Sequence, residues 1–130
     1  MNPTPIEIRL QKRERQLLVS FDDGSEYALS FEYLRVFSPS AEVQGHGPGQ
    51  DVLQIGKQDV IVTAIEPIGH YAVRLIFDDG HDTGLYTWQH LHGLGRQQQV
   101  NWSRYLDRLE AAGYPRPKTA DSPPSQDEPS

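Results

Sequence analysis

The sequence contains no cysteine. This absence excludes disulfide bonds, thiol nucleophiles, cysteine zinc sites and thiolate-bound iron–sulfur clusters from the chain. Basic residues are also in the minority, because 12 Lys and Arg stand against 18 Asp and Glu and the formal net charge is −6 at pH 7. A surface that follows nucleic-acid phosphates is normally basic, so the composition predicts no nucleic-acid partner.

Long apolar runs are missing as well. No stretch approaches the roughly 20 apolar residues of a membrane-spanning helix, and residues 1–16 lack the apolar core and cleavage site of a secretory signal. We therefore expect a cytoplasmic protein with no membrane partner. A chain of 130 residues with 36% hydrophobic residues suits one core. We predict a single globular domain over residues 1–114 and a disordered Pro-, Ser- and acid-rich tail over 115–130.

The main internal feature is a repeat, because residues 21–24 and 77–80 both read Phe-Asp-Asp-Gly. An Asp-Gly pair between apolar runs predicts a β-hairpin, since glycine supplies the positive φ that the turn needs. A short helical turn with an aromatic residue follows each copy. The matched positions, with one extra residue in the second copy, are Leu29 with Leu85, Phe31 with Trp88 and Leu34 with Leu91.

The fold class predicted from these patterns is α+β: mainly an antiparallel sheet built on two duplicated β-hairpin–short-helix units. Apolar and charged residues alternate over 6–10, which is the period of a strand. Residues 38–56 contain four glycines and predict a long loop, followed by a strand over 60–65 and a turn over 66–69. A C-terminal helix packed on the sheet is predicted from one apolar stripe, Trp102, Tyr105, Leu106 and Leu109.

The two copies differ at one polar position, where Ser25 of the first becomes His81 of the second. A histidine directly after a turn glycine is placed to present a ring nitrogen to solvent or to a ligand. A second histidine, His46, lies in the glycine-rich loop and can fold back towards it. Nitrogen and oxygen ligands of this kind suit iron, manganese or zinc better than copper(I). The candidate metal ligands are His46, His81 and Asp82, with Asp79 or Glu42 as further oxygen donors.

Three functions are open at this stage. The lack of a nucleophile–base pair and of a complete catalytic signature favours a non-catalytic accessory or interaction domain whose partner is another protein. The first alternative is a protein that binds iron or zinc through His46 and His81. The second is a small acid–base enzyme that uses His81 with Asp82 or Asp79, although the sequence offers no oxyanion hole.

Four segments, residues 34–43, 45–48, 65–73 and 77–86, resemble the gamma-butyrobetaine hydroxylase-like N-terminal domain, a family of unknown function. The resemblance implies a compact, mostly β, mixed domain. In the hydroxylases this domain precedes an iron- and 2-oxoglutarate-dependent catalytic domain, for which 130 residues leave no room, so no hydroxylase activity is expected. A related domain fused to P-loop ATPases of iron–sulfur cluster transfer implies an accessory role.

The resemblance also implies the place of a structural zinc ion, which the family binds through a Cys-Pro-Cys-x-x-Cys run and one histidine. That run falls on residues 38–43, which read Ser-Pro-Ser-Ala-Glu-Val, and the histidine falls on His81. One of the four ligand positions is therefore retained. Serine and valine do not replace thiolates as zinc ligands.

Overall fold

The structure is a computed structural model that describes residues 3–45 and 52–114. The chain separates into two compact units, Met1–Gln98 and Gln99–Ser130. The first unit contains two three-stranded antiparallel sheets, and the fold is mixed α+β, as predicted. The elements are β1 (Pro5–Gln11), β2 (Gln16–Phe21), β3 (Glu26–Ser30), α1 (Phe31–Val36), α2 (Ala41–Gln44), β4 (Val62–Ile68), β5 (Ala72–Phe77), β6 (Leu85–Thr87), α3 (Trp88–Arg96) and α4 (Gln98–Ala111).

Each sheet is one copy of the repeat, and the two hairpins share the same backbone hydrogen bonds. The Phe21 N–H donates to the carbonyl of Ser25 at 2.9 Å, and the Phe77 N–H donates to that of His81 at 3.0 Å. The turn glycines at positions 24 and 80 have φ of 89° and 91°. The first aspartate of each motif also donates its N–H to the preceding outer segment at 2.9 Å in both copies. These equal bonds confirm the predicted duplication.

A capped helix closes each repeat. The Ser30 hydroxyl accepts the N–H of Tyr33 at 3.0 Å, and the Thr87 hydroxyl accepts the N–H of His90 at 3.0 Å. Each cap satisfies a first-turn donor that the helix itself leaves unpaired. Ser30 and Thr87 therefore take equivalent places in the two repeats.

The strand register corrects one of the matched pairs. Leu29 pairs with Leu17, and Tyr86 pairs with Val73. Leu17 and Val73 each lie four residues before the phenylalanine of the motif, so Tyr86, and not Leu85, takes the place of Leu29. Burial agrees, because Leu29 and Tyr86 are 0% exposed and Leu85 is 41% exposed. The extra residue of the second repeat therefore lies before β6, within residues 82–84.

The first and last residues of several other helices and strands differ from the predictions, because tertiary contacts determine where these elements begin and end. Within the stretch predicted as loop, α2 forms with its first-turn N–H bonded to the Ser40 hydroxyl. Residues 66–68, predicted as part of a turn, continue β4; Pro67 is tolerated there because β4 is an edge strand. Strand β6 is short and begins only at Leu85. The last helix begins at Gln98, four residues before the first residue of the predicted apolar stripe, Trp102.

Alternate residues of the central strands β2 and β5 form the core of the first unit together with residues of the two capped helices. In α4 the predicted stripe is present, with Tyr105, Leu106 and Leu109 buried. Across the described residues, none of the helices combines the length and apolar character needed to cross a bilayer. The core side chains from the two repeats include Leu17, Val19, Phe21, Leu29, Phe31, Tyr33, Leu34, Val73, Leu75, Phe77, Tyr86 and Leu91.

Candidate functional site

The two repeats are joined by reciprocal hydrogen bonds between their helices. The Tyr33 hydroxyl donates to the carbonyl of Leu94 at 2.7 Å, and His90 Nε2 donates to the carbonyl of Phe37 at 3.2 Å. Tyr33 and His90 both lie three residues after their helix caps, and Phe37 and Leu94 both lie seven residues after them. The repeats are therefore related by approximate two-fold symmetry, and each binds the end of the other's helix.

A second reciprocal pair joins each helix to the opposite hairpin. Arg35 Nε donates to Asp79 Oδ2 at 3.0 Å, and His92 Nε2 lies 3.0 Å from Asp23 Oδ2. Arg35 and His92 are equivalent positions, as are Asp23 and Asp79. The molecule thus has two equivalent corners where a helix meets the other repeat's hairpin. The first corner consists of Asp23, Ser25, Tyr27, His92 and Gly95, and the second consists of Arg35, Ser38, Asp79, His81 and Gly84.

An aromatic ring fills the first corner. The Tyr27 ring lies 6.1 Å from that of Phe21 and 5.7 Å from that of His92, between ring centroids. It also lies directly on Gly95, since a Cβ at that position would come within 2.2 Å of the ring. This corner is closed by rings packed edge to face and by a helix backbone.

The second corner contains polar groups instead. Counting back from β6, Gly84 takes the place of Tyr27, so no tyrosine ring from this position enters the corner. Ser38, the equivalent of Gly95, occupies the space, and its Oγ lies 2.5 Å from where a Gly84 Cβ would be. The loss of the ring at position 84 therefore makes room for a hydroxyl group.

His81 is bonded through both ring nitrogens in this corner. Nε2 lies 2.9 Å from Ser38 Oγ, and Nδ1 lies 3.2 Å from Glu42 Oε1. Because a carboxylate only accepts, Nδ1 carries the proton of the neutral ring and Nε2 accepts from the hydroxyl group. The prediction of a histidine open to solvent is wrong, since His81 is 5% exposed. Ser38 and Glu42, which precede it by about 40 residues, contact its ring.

The segment that contains the extra residue of the second repeat supplies another contact to the same place. Thr83 Oγ1 lies 2.6 Å from Ser40 Oγ, and the Ser40 N–H donates to Ser38 Oγ at 3.2 Å. The second hairpin is thereby joined to the segment that leads into α2. We refer to Ser38, Ser40, Glu42, His81 and Thr83 as the polar cluster.

A charged group borders the polar cluster. Asp79 Oδ2 accepts from Arg35 Nε at 3.0 Å and from Lys57 Nζ at 2.9 Å, and its Oδ1 accepts the His81 N–H at 3.1 Å. Burial alone would raise the pKa of Asp79. The hydrogen bonds from Lys57 and the His81 N–H, together with the charge of Arg35, outweigh burial and lower this pKa to about 2. Asp79 is therefore an ionised anchor for three groups.

The lowered pKa values of two histidines, His81 and His90, predict that the protein loses stability in mild acid. Burial lowers the pKa of His81 below 6.5, the charge of Arg35 adds to this, and Glu42 opposes it. Burial also lowers the pKa of His90, against the opposing bond to the Phe37 carbonyl. Below the ordinary value of 6.5 the unfolded chain therefore binds more protons than the folded one. The stabilisation is complete above that pH and is lost as the pH falls towards the folded-state pKa values.

Urea unfolding between about pH 7.5 and pH 5 measures this effect. The free energy of unfolding should decrease across the interval, and the double variant H81Q/H90Q should give a flatter profile. Asp23 and Asp79 do not contribute to the change in this pH interval, because their pKa values are about 2. A wild-type profile as flat as that of the double variant would contradict the assignment.

The predicted metal ligands are not assembled in the described residues. His46 lies outside the described residues, and His81 faces Ser38 and Glu42. Asp82, the third predicted ligand, acts on Arg74. Its charge helps to raise the pKa of Arg74, after the larger effect of the hydrogen bond between Arg74 and Glu66. In residues 3–45 and 52–114 no group of three or more His, Asp or Glu side chains could hold a metal ion. The shell of His46, His81 and Asp82 stays a prediction.

The segment that the resemblance aligns with zinc ligands does fold at this corner. Ser38, Ser40 and His81 meet there, and Val43 is buried nearby in α2. Two hydroxyl groups, a valine and one imidazole do not provide the thiolate and imidazole donors that zinc requires. The residues present therefore do not fit a zinc ion, and hydrogen bonds connect the positions instead. The Ser-Pro-Ser run and the extra residue before β6 were the sequence signals for this cluster.

The fold and the site define a class of protein: an α+β domain of two repeats that bond to each other, with a polar cluster around a buried histidine at one of two equivalent corners. Residues 8–92 match the family model described as gamma-butyrobetaine hydroxylase-like, N-terminal, and the chain belongs to this family. None of the curated proteins matches the chain.

Solved structures with the same fold are similar over most of the chain. One NMR solution structure is 52% identical with a TM-score of 0.74, covering 85% of this chain and 82% of that one. Another is 45% identical with a TM-score of 0.77, covering 89% and 91%. A crystal structure from Acidithiobacillus ferrooxidans, of a protein of unknown function in the DUF971 family, is 40% identical with a TM-score of 0.60, covering 71% and 92%.

Proposed function

We propose that this protein is a non-catalytic accessory domain that binds another protein, within an iron-dependent oxygenase or iron–sulfur system. The observation that carries the proposal is a buried hydroxyl–imidazole pair, Ser38 and His81, in a chain that also exposes the apolar side chains of Val52 and Ile55. The link to iron rests on the family, whose description refers to a hydroxylase, and on the accessory role that the resemblance implies.

The polar cluster has the connectivity of a hydrolase triad but the opposite accessibility. Ser38, His81 and Glu42 form a hydroxyl–imidazole–carboxylate chain. A nucleophile has to reach its substrate, whereas Ser38 is 0% exposed and the Glu42 side chain is 66% exposed. This arrangement supports a structural role in which the chain of hydrogen bonds holds α2 against the second hairpin.

The surface next to the polar cluster suits a protein partner. The Val52 N–H donates to the carbonyl of Val43 at 2.7 Å. Gln54 Oε1 accepts from Arg35 Nη1 at 3.0 Å, and Lys57 is bonded to Asp79. These bonds fix the segment over residues 52–57 at three points.

Two apolar side chains project from this fixed segment, since Val52 is 52% exposed and Ile55 is 42% exposed. We call them the apolar pair. A prearranged apolar surface binds a partner at a lower entropic cost than a flexible one. The partner we propose is therefore a protein with a complementary apolar face.

Quantitative affinity capture from the source cells tests this function. We expect V52S/I55S to reduce the amount of the principal retained protein at least about tenfold, as loss of central apolar contacts does. The matched control is L85S, because Leu85 is 41% exposed on the outer face of the second sheet. Circular dichroism should show all variants folded. Equal retention by V52S/I55S and L85S would contradict the proposal.

A further inference from the structure

Among residues 3–45 and 52–114, strand β1 is an edge strand that pairs only with β2 on its inner side. The direction of its main-chain groups can be assigned. The Phe21 N–H donates to Ser25, so odd-numbered residues of β2 direct their main-chain groups to β3 and even-numbered residues direct theirs to β1. The β1 partners of the even-numbered residues are Glu7, Arg9 and Gln11. The N–H and carbonyl groups of the alternate residues, Ile8 and Leu10, therefore point to the open edge.

The equivalent edge in the other repeat is blocked. The Phe77 N–H donates to His81, so odd-numbered residues of β5 direct their main-chain groups to β6. Pro67 of β4 pairs with one of them, Val73, and therefore directs its own main-chain groups to the open edge of β4. Its counterpart in β1 is Leu10, which pairs with Leu17. Proline has no N–H to offer an incoming strand, and it is one of the means by which edge strands avoid pairing. Strand β1 has no proline after its first residue, so its edge keeps the N–H that Pro67 removes from the edge of β4.

The side chains of β1 are complementary to a second copy of themselves. Glu7 and Arg9 flank Ile8, are exposed, and form an ion pair of 2.8 Å within one chain. In an antiparallel pair centred on Ile8, Glu7 of each copy faces Arg9 of the other. These are the close, non-hydrogen-bonded positions, at which opposite charges attract most effectively.

We propose that β1 pairs with β1 of a second copy of this chain, antiparallel and centred on Ile8, joining two three-stranded sheets into one of six strands. Ile8 and its copy exchange main-chain hydrogen bonds on the two-fold axis. Ile6, which is 71% exposed, is covered by Leu10 of the other copy. This contact uses a surface different from the apolar pair, so it stands or falls independently of the proposed function.

Charge reversal at the two flanking positions tests the pairing in sedimentation experiments on the full chain, over roughly 10 µM to 1 mM, where a small interface associates. The wild type should form a reversible dimer. R9E places two glutamates opposite each other, and E7R two arginines, so each should weaken association at least tenfold. An equimolar mixture of R9E and E7R should form a heterodimer, and E7R/R9E should dimerise as the wild type does.

The matched control is R74E, the same change in the ion pair that Arg74 makes with Glu66 in the other sheet. Exposed ion pairs contribute little to stability, so the variants remain folded and R74E dimerises like the wild type. A wild type that stays monomeric over the whole range overturns the proposal. So does a dimer that R9E weakens no more than R74E, or a mixture of R9E and E7R that does not associate.

Discussion

Replacing Tyr86 with alanine should lower the free energy of unfolding by about 3–5 kcal/mol, the cost of deleting a large buried ring. Tyr86 is 0% exposed, and its hydroxyl donates to the carbonyl of Leu34 at 2.6 Å. Burial also raises its pKa well above the ordinary value. The substitution therefore removes both the core side chain that takes the place of Leu29 and a bond that joins the second sheet to α1.

Urea denaturation followed by circular dichroism measures this loss. Y86F keeps the ring and removes only the hydroxyl group, so it should cost about 1–3 kcal/mol. L85A changes the neighbouring exposed residue and should fall within about 0.5 kcal/mol of the wild type. If Y86A were no less stable than L85A, the register assigned to the second repeat would be incorrect.

Alanine substitutions at two glycines of α3 should have effects of opposite sign. A Cβ at Gly95 would lie 2.2 Å from Tyr27 Cγ, and a Cβ at Gly93 would meet nothing within 4 Å. G95A should therefore displace the ring that fills the first corner and cost about 1–3 kcal/mol through overpacking. G93A should stabilise the protein by about 0.5–1 kcal/mol, because alanine loses less backbone entropy than glycine in a helix.

The pair is informative because both positions share one helix and receive the same methyl group. Thermal unfolding should separate the two variants by several degrees. The Tyr27 ring signals in NMR spectra should shift in G95A and stay in place in G93A. Equal stabilities, or shifts in both variants, would show that the ring does not lie on Gly95.

The sequence was sufficient for the hairpins because their determinants are local. The Phe-Asp-Asp-Gly motif specifies a turn, and its recurrence predicted two similar sheets before any contact between them was known. The Ser30 cap was likewise predictable from the residue type at the start of an apolar segment. Leu85 was matched to Leu29 in error because Leu85 and Tyr86 are adjacent and both apolar. A shift of the register by one residue exchanges them, and only the strand pairing shows which of the two faces the core.

The site was only partly predictable because its contacts span long distances in sequence. His81 and Glu42 were both singled out, yet the burial of His81 depends on residues 38–42, which precede it by about 40 positions. The reciprocal bonds from Tyr33 and His90 cross 61 and 53 residues. No local pattern encodes such bonds, since both are side-chain to main-chain contacts that exist only after the repeats have docked.

The reciprocal bonds between the helices also bear on how such a molecule arose. Each helix end is bonded by a side chain that the other half of the sequence provides, so a single hairpin and helix would leave those carbonyls without their donors. An ancestor of half this length could have met the same need by associating with an identical chain. Gene fusion would then have freed one half to exchange an aromatic ring for a hydroxyl group and an imidazole.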